Sequence, residues 1–290
     1  MLSDLISKKF FISLEFFPPK NKQTWPKFFA EVKKLKRVNP LFVSVTYGAG
    51  GSSQAYTLEL AKILKTEFGL ETMAHLTCIG ASKQKIRLFL DDLLKIGINN
   101  VLALRGDPPK NTSNFDPSQG DFRYGVDLVR FIRKEYANQF SIGVAGYPEG
   151  HAEAPSLEED LKNLKLKVDA GADFVLTQLF FENSCYFNFV QKAKAIGITV
   201  PIIPGLLPII DLAGVKRFTS LCKATLPASL LNSLEKANQT QGSKGVLKVG
   251  LNYARKQFLD LKEKGAPGVH FYTLNQSLAT LYVLGFVNNL

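Results

Sequence analysis

Eight short apolar segments, each closed by glycine, proline or a charged residue and each followed by an amphipathic stretch, constrain this chain more than any other feature. Their hydrophobic runs predict strands over residues 10–17, 41–47, 72–78, 101–104, 141–147, 174–181, 200–207 and 268–274. The seventh is punctuated by Pro204 and Gly205. Apolar spacing predicts helices over 27–37, 57–68, 82–96, 126–136, 157–170 and 185–196. Ser82 is an N-cap residue type, and Gly69, Gly97, Gly171 and Gly197 stand where helices stop. Two helical pieces, 212–222 and 246–264, flank a Ser-, Asn- and Gly-bearing segment at 238–245, and a last helix is predicted over 278–287. Strand–helix alternation demands a parallel sheet with crossover helices. Eight repeats in 290 residues predict a closed (β/α)8 TIM barrel, an α/β fold forming one domain over residues 1–290. The alternative, a doubly wound open sheet, lacks its GxGxxG turn: Gly48, Gly50 and Gly51 have another spacing and follow the second strand.

A barrel of this kind places its chemistry at the C-terminal strand ends. The stretch 101–109 shows why this chain suits such a site. A buried strand stops in Arg105, Gly106 and Asp107, and Pro108 and Pro109 forbid further pairing. The other strand ends supply Glu15, Thr46 and Tyr47, His75, Tyr147 and His151, Gln178 and Tyr272. A barrel end built for stability alone needs no such set. Glu15, between Leu14 and Phe16, is costly to bury unless paired. Either a neighbour such as an arginine neutralises it, or it is a poised acid, and the acid is the reading adopted here. Asp160 and Lys167 lie seven residues apart on one predicted helix face. That is a salt-bridged solvated face, or an acid for a ribose diol and a cation that joins Arg105 on a pyrophosphate.

Several chemistries are excluded by pattern. No HxxxH or Cys/His spacing supports zinc, so no metal site is expected. No GxSxG elbow supports a nucleophilic triad, and no lysine lies in a strand for Schiff-base work. Cys78, Cys185 and Cys222 are far apart and read as reduced thiols of a cytoplasmic protein. The N-terminus, with Asp4, Lys8 and Lys9, runs straight into the first strand without the order of a secretory signal. No apolar run approaches a membrane span. The net charge of +11 is spread over helix faces such as KKLKR at 33–37, with no basic–aromatic platform for nucleic acid.

At the strand ends the sequence resembles the methylenetetrahydrofolate reductase family. The resemblance is carried by SLEFFPP (13–19), FVSVTYGA (42–49), AHLTC (74–78), ALRGD (103–107), YPEGH (147–151), LKLKVDAGA (164–172), TQLFF (177–181), IPGLLP (203–208) and FYTLN (271–275). It implies a cytoplasmic flavoprotein of one-carbon metabolism and methionine biosynthesis. NAD(P)H would reduce FAD and leave, and the flavin would then reduce 5,10-methylenetetrahydrofolate to 5-methyltetrahydrofolate. The resemblance implies Glu15 as general acid, Asp107 beside flavin and folate, Gln178 in contact with both substrates, and Phe218 stacked on the ring that occupies the site. Tyr272 is assigned to the substrate. FAD contacts are implied for Thr46, Tyr47, Ala49, His75, Arg105, Gly106, Asp107, Tyr124, Gly125, Tyr147, His151, Ala154, Asp160, Asn163 and Lys167.

Three positions depart from the pattern: Gly214 replaces a frequent glutamine, Gln276 an arginine that meets the folate tail, and Leu166 a basic residue beside Lys167. These departures leave two rival readings, a flavin barrel for another pterin or one-carbon carrier and a non-catalytic subunit of a one-carbon complex. No nucleic-acid or membrane partner is expected, and a homo-oligomer is possible.

Overall fold

A computed structural model describes residues 2–6, 9–47, 54–107 and 120–288. Strands β1 (Phe11–Phe16), β2 (Phe42–Val45), β3 (Thr72–Thr77), β4 (Asn100–Leu104), β5 (Ser141–Gly146), β6 (Phe174–Leu179), β7 (Ile202–Leu206) and β8 (Gly268–Tyr272) pair in parallel in chain order. β8 then pairs with β1, placing Ser13 opposite His270 and Glu15 opposite Tyr272, so the sheet closes into the (β/α)8 barrel. The surrounding helices are α1 (Trp25–Leu35), α2 (Gln54–Thr66), α3 (Lys83–Lys95), α4 (Gly125–Tyr136), α5 (Leu157–Asp169), α6 (Asn183–Ala195), α7 (Leu212–Cys222), α8 (Ala228–Glu263) and α9 (Ser277–Val283).

The two-residue period of each strand divides its side chains between helices and lumen. On β1, Leu14 and Phe16 join the outer core, where Phe16 meets Phe28 of α1 edge-on at 5.6 Å. Phe11, Ser13 and Glu15 share the other face. The lower lumen is filled by Phe11, Phe42, Met73, Leu102, Phe174, Leu176 and Ile203. Each such buried side chain contributes about 1.5–3 kcal/mol by leaving water. Gly143 makes room for Phe174, since a Cβ there would lie 2.5 Å from the ring. The plug is completed from below by Leu2 and Ile6. The chain start therefore does not run directly into β1; its first turn seals the barrel floor, anchored by the Leu2 amide donating to Asn100 Oδ1 at 3.3 Å.

The span α8 (Ala228–Glu263) is two helical pieces that meet at a kink at Gly242 (φ 61°, ψ −149°), inside the segment 238–245 where a break is expected. The piece before the kink, from Ala228, is the one the sequence pattern does not predict. Leu230, Leu234 and Ala237 are buried on one face, with both leucines joining Ile209 and Val215 in a core beyond β7. That packing outweighs the weak helix propensity of the Asn, Ser and Gln residues before the kink. α1 begins two residues before the predicted start because Trp25 is buried and Pro26 suits a first turn. Pro204 lies inside β7, and pairing with β6 shifts register between Leu176 and Leu179. Gly205 N–H instead donates to Thr177 Oγ1 at 2.9 Å.

Candidate active site

Above the apolar plug the lumen becomes polar. Ser13 and Glu15 of β1, Ser44 of β2, His75 of β3, and His270 and Tyr272 of β8 occupy successive inward positions. Ser13 Oγ lies 2.8 Å from His270 Nδ1, and Ser44 Oγ lies 3.4 Å from His270 Nε2. The His270 ring also stacks on Phe42 at 5.8 Å, which fixes its plane. Glu15 Oε2 is 3.4 Å from His75 Nε2 and 3.8 Å from His270 Nε2. The neighbours of Glu15 are therefore imidazoles, not the arginine that would fix it as an anion. Burial pulls His75 down to about 4, against the opposing pull of Glu15, so the ring is neutral near pH 7. Its Nε2 is close to the carboxylate but not aligned for a hydrogen bond, and it is a buried polar atom without a hydrogen-bond partner.

Tyr272 lies beside Glu15, but its hydroxyl serves the barrel wall. It donates to Thr177 O at 2.6 Å, at the β6 irregularity opposite Pro204. Burial and the nearby Glu15 push its phenol well above the usual range, so it keeps its proton. Gln178 is half-buried and folds back, its Oε1 accepting from Leu179 N–H at 2.9 Å. Phe218, on α7, packs against the core that also receives Tyr272 and Leu274.

The β4 end is held by β3: Cys78 N–H and Ile79 N–H donate to Arg105 O at 3.1 and 2.8 Å. Gly106 turns with φ +85°, and a Cβ there would lie 2.8 Å from Thr77 Cβ, so both backbone and space require glycine. Arg105 is gripped by Glu153 in a two-point pair at 2.6 and 2.9 Å, which raises its already high pKa. Asp107 is exposed beyond it. Gly125 opens α4 close behind, a Cβ there being 3.5 Å from Arg105 N. Tyr124, 51% exposed, donates its N–H to Asp127 Oδ2 at 2.9 Å. Thr46 O accepts from Thr57 Oγ1 at 3.0 Å, and Tyr47 meets Phe89 edge-on at 6.2 Å.

The β5 end carries Tyr147 and His151, whose rings meet edge-on at 4.6 Å. Burial and the charge of Asp160 push Tyr147 up to about 12. His151 Nδ1 accepts from Glu153 N–H at 3.1 Å, and His151 O accepts from Ala154 N–H at 3.0 Å. Asp160 is buried, raised by desolvation and steadied by Lys167 and the His151 amide. Lys167 does not join Arg105 in a cation pair. Its ammonium donates to Ala145 O at 2.6 Å, and burial lowers it to about 8. Asn163 is exposed on α5. Ala49 and Gly48 lie outside the described residues, as do 50–53 and most of the 111–123 loop.

These features fit a flavin nucleotide. The His75 nitrogen lacks a partner, and Asp160 is a buried acceptor beside His151. Sequence reasoning missed Ser13, Ser44, Glu153 and above all His270. The signal was present: His270 is one of three histidines and shares inward parity with Tyr272.

The sequence model of the methylenetetrahydrofolate reductase family matches residues 1–288. The chain is 38% identical over 281 residues to methylenetetrahydrofolate reductase (NADH) 1 of Arabidopsis thaliana, covering 94% of this chain and 47% of the relative. It is 39% identical over 275 residues to a probable methylenetetrahydrofolate reductase (NADPH) of Caenorhabditis elegans, covering 93% and 41%. The chain thus spans about half the length of the curated relatives it matches. A Clostridium thermocellum protein described as binding two copies of 5-methyl-5,6,7,8-tetrahydrofolic acid shares the fold, with a TM-score of 0.58 and 16% identity over 93% of this chain and 91% of that one. A match running through both the barrel and its lumen residues means that the chain belongs to the methylenetetrahydrofolate reductase family.

Proposed function

We propose that the barrel over residues 1–290 binds FAD and catalyses NAD(P)H-dependent reduction of 5,10-methylenetetrahydrofolate to 5-methyltetrahydrofolate, the two substrates taking turns in one site. The observation that carries this reading is Glu15, set among two imidazoles and a tyrosine at the floor of the open barrel end. FAD, when bound, supplies hydride acceptance and donation.

The chain's own residues supply position and protons. Glu15 holds a proton at a carboxyl oxygen and delivers it to the nitrogen that leaves when the methylene bridge opens to an iminium. Among the described residues no lysine or arginine pairs with the carboxylate, and His75 is neutral beside it. Ser13 and Ser44 hold His270 in one orientation, and His270 in turn limits where Glu15 can swing. The apolar plug excludes water from below. Gln178 and Phe218 orient the ring above Glu15, and Asp107 stands at the rim for the pterin and the flavin. Arg105, Gly106, Tyr124, Gly125, Tyr147, His151, Ala154, Asp160, Asn163 and Lys167, with Thr46, Tyr47, Ala49 and His75, hold the cofactor. Asp160 suits a ribose diol as an acceptor-only group. Arg105 suits a phosphate by its fork of donors.

The test is flavin uptake followed by separated half-reactions. The protein should take up FAD and turn yellow, NAD(P)H should bleach it, and methylenetetrahydrofolate should restore the colour. A protein that takes up no flavin would defeat the cofactor reading. A reduced flavin that methylenetetrahydrofolate cannot reoxidise would defeat the substrate reading.

A further inference from the structure

Helix α7 carries a strip at helical i, i+3, i+4 and i+7 spacing: Gly214, Arg217, Phe218 and Leu221. Phe218 is half-buried against the core that includes Leu179 and receives Tyr272 and Leu274 at the barrel mouth. The Arg217 guanidinium lies 5.2 Å from the centre of the Phe218 ring. Leu221, one turn on, is 67% exposed, the highest value among the exposed large apolar side chains of the described residues. The neighbouring cations are engaged elsewhere. Lys216 pairs with Glu235 at 2.6 Å, and Lys223 donates to Ala152 O at 2.8 Å. Among the described residues Arg217 has the ring and no carboxylate.

An exposed guanidinium over a ring gains only about 0.5–1 kcal/mol. Its donors stay open to an anion, and Phe218 and Leu221 offer an apolar surface beside it. Gly214 adds no side chain to obstruct that surface. On the adjacent rim, beyond the neighbouring strand β8, Gln276 at the N-cap position of α9 is neutral. An aromatic ligand stacked on Phe218 and extending over Leu221 brings an attached anion to Arg217.

We propose that Arg217 is the anion clamp for the substrate stacked on Phe218, and that the anion is the carboxylate-bearing tail of the pterin substrate. The inference rests on the functional reading above. A nicotinamide nucleotide phosphate has the same chemistry and is the other source.

Calorimetric titration of flavin-loaded protein tests it. The ligands are 5-methyltetrahydrofolate, tail-less 6-methyltetrahydropterin, NADH and NADPH, each against wild type, Arg217→Ala and Arg217→Lys. Arg217→Ala should weaken 5-methyltetrahydrofolate about tenfold or more, the loss of one charge-assisted hydrogen bond. Arg217→Lys should recover part of the loss, and the tail-less pterin should bind all three proteins alike. A loss confined to the nucleotides would overturn the tail assignment in favour of phosphate. Equal loss for both pterins, or no loss for any ligand, would overturn the clamp while leaving the functional reading intact. Wild-type protein that binds neither pterin would remove the functional reading and the clamp with it.

Discussion

His75 Nε2 stands 3.4 Å from Glu15 Oε2, yet the imidazole is driven neutral by burial and the two atoms are not aligned for a hydrogen bond. The contact is therefore no ordinary ion pair. It leaves a carboxyl group beside a neutral ring in a lumen closed from below. That arrangement suits a residue whose task is to give up a proton and regain it.

Replacing Glu15 with glutamine keeps the shape of this layer and removes the proposed proton donor. Reoxidation of reduced flavin by methylenetetrahydrofolate should fall by about 10²–10⁴, the usual range for a positioned acid. Reduction of the flavin by NAD(P)H should change little. Stopped-flow absorbance of each half-reaction separates the two, and equal loss in both would show that Glu15 has no folate-specific role.

His75 also makes stability depend on pH. Its ordinary value is 6.5 and its value in the fold is about 4. Between these the unfolded chain binds the extra proton, so stability rises with pH across the window and is lost as pH falls from about 6.5 towards 4. The full effect is up to about 3 kcal/mol. Urea unfolding of wild type and His75→Gln at pH 7, 6, 5 and 4 measures it. The variant should lose much of the slope; an unchanged slope would mean that other groups carry it.

Two glycines of similar backbone separate conformation from space. Gly97 has φ +74° with nothing within 4 Å of a Cβ, whereas Gly106 has φ +85° and Thr77 Cβ at 2.8 Å. Gly97→Ala should cost about 1 kcal/mol by backbone strain alone. Gly106→Ala should cost about 1–3 kcal/mol more through overpacking and should weaken FAD. Thermal unfolding and flavin fluorescence titration report the two effects, and equal losses of stability would refute the contact argument.

Glu153 is 61% exposed at its side chain, so its pair with Arg105 adds little to stability, about 0–1 kcal/mol. It nevertheless occupies both ends of the guanidinium fork that a phosphate would use. Glu153→Gln should leave thermal unfolding nearly unchanged and tighten FAD about fivefold to tenfold. Riboflavin, which has no phosphate, should not respond. Weaker FAD binding in this variant would show instead that Glu153 holds Arg105 in place for the cofactor.

Much of the barrel was legible because each strand is a short apolar run with a sharp stop and each helix has a stripe. All eight strands appear within a few residues of their expected positions. Boundaries drifted where long-range packing outweighed local composition. Leu230, Leu234 and Ala237 fold the polar stretch before the Gly242 kink into a helix that local composition does not announce, and the turn at Leu2 becomes a barrel floor.

The sequence by itself determined the alternation, the closed fold and the residue types at each strand end, since these follow from local periodicity and from chain stops. Tertiary structure alone decided who meets whom. Ser13 and His270 are 257 residues apart and become neighbours only when β8 closes on β1. Lys167 turns to Ala145 O and not to Arg105, whose guanidinium is held by Glu153. Glu15 finds imidazoles because inward parity on β3 and β8 puts His75 and His270 at its level. Periodicity is local and can be read along a chain; the register of a closed sheet is global and is set only when all eight strands pack together.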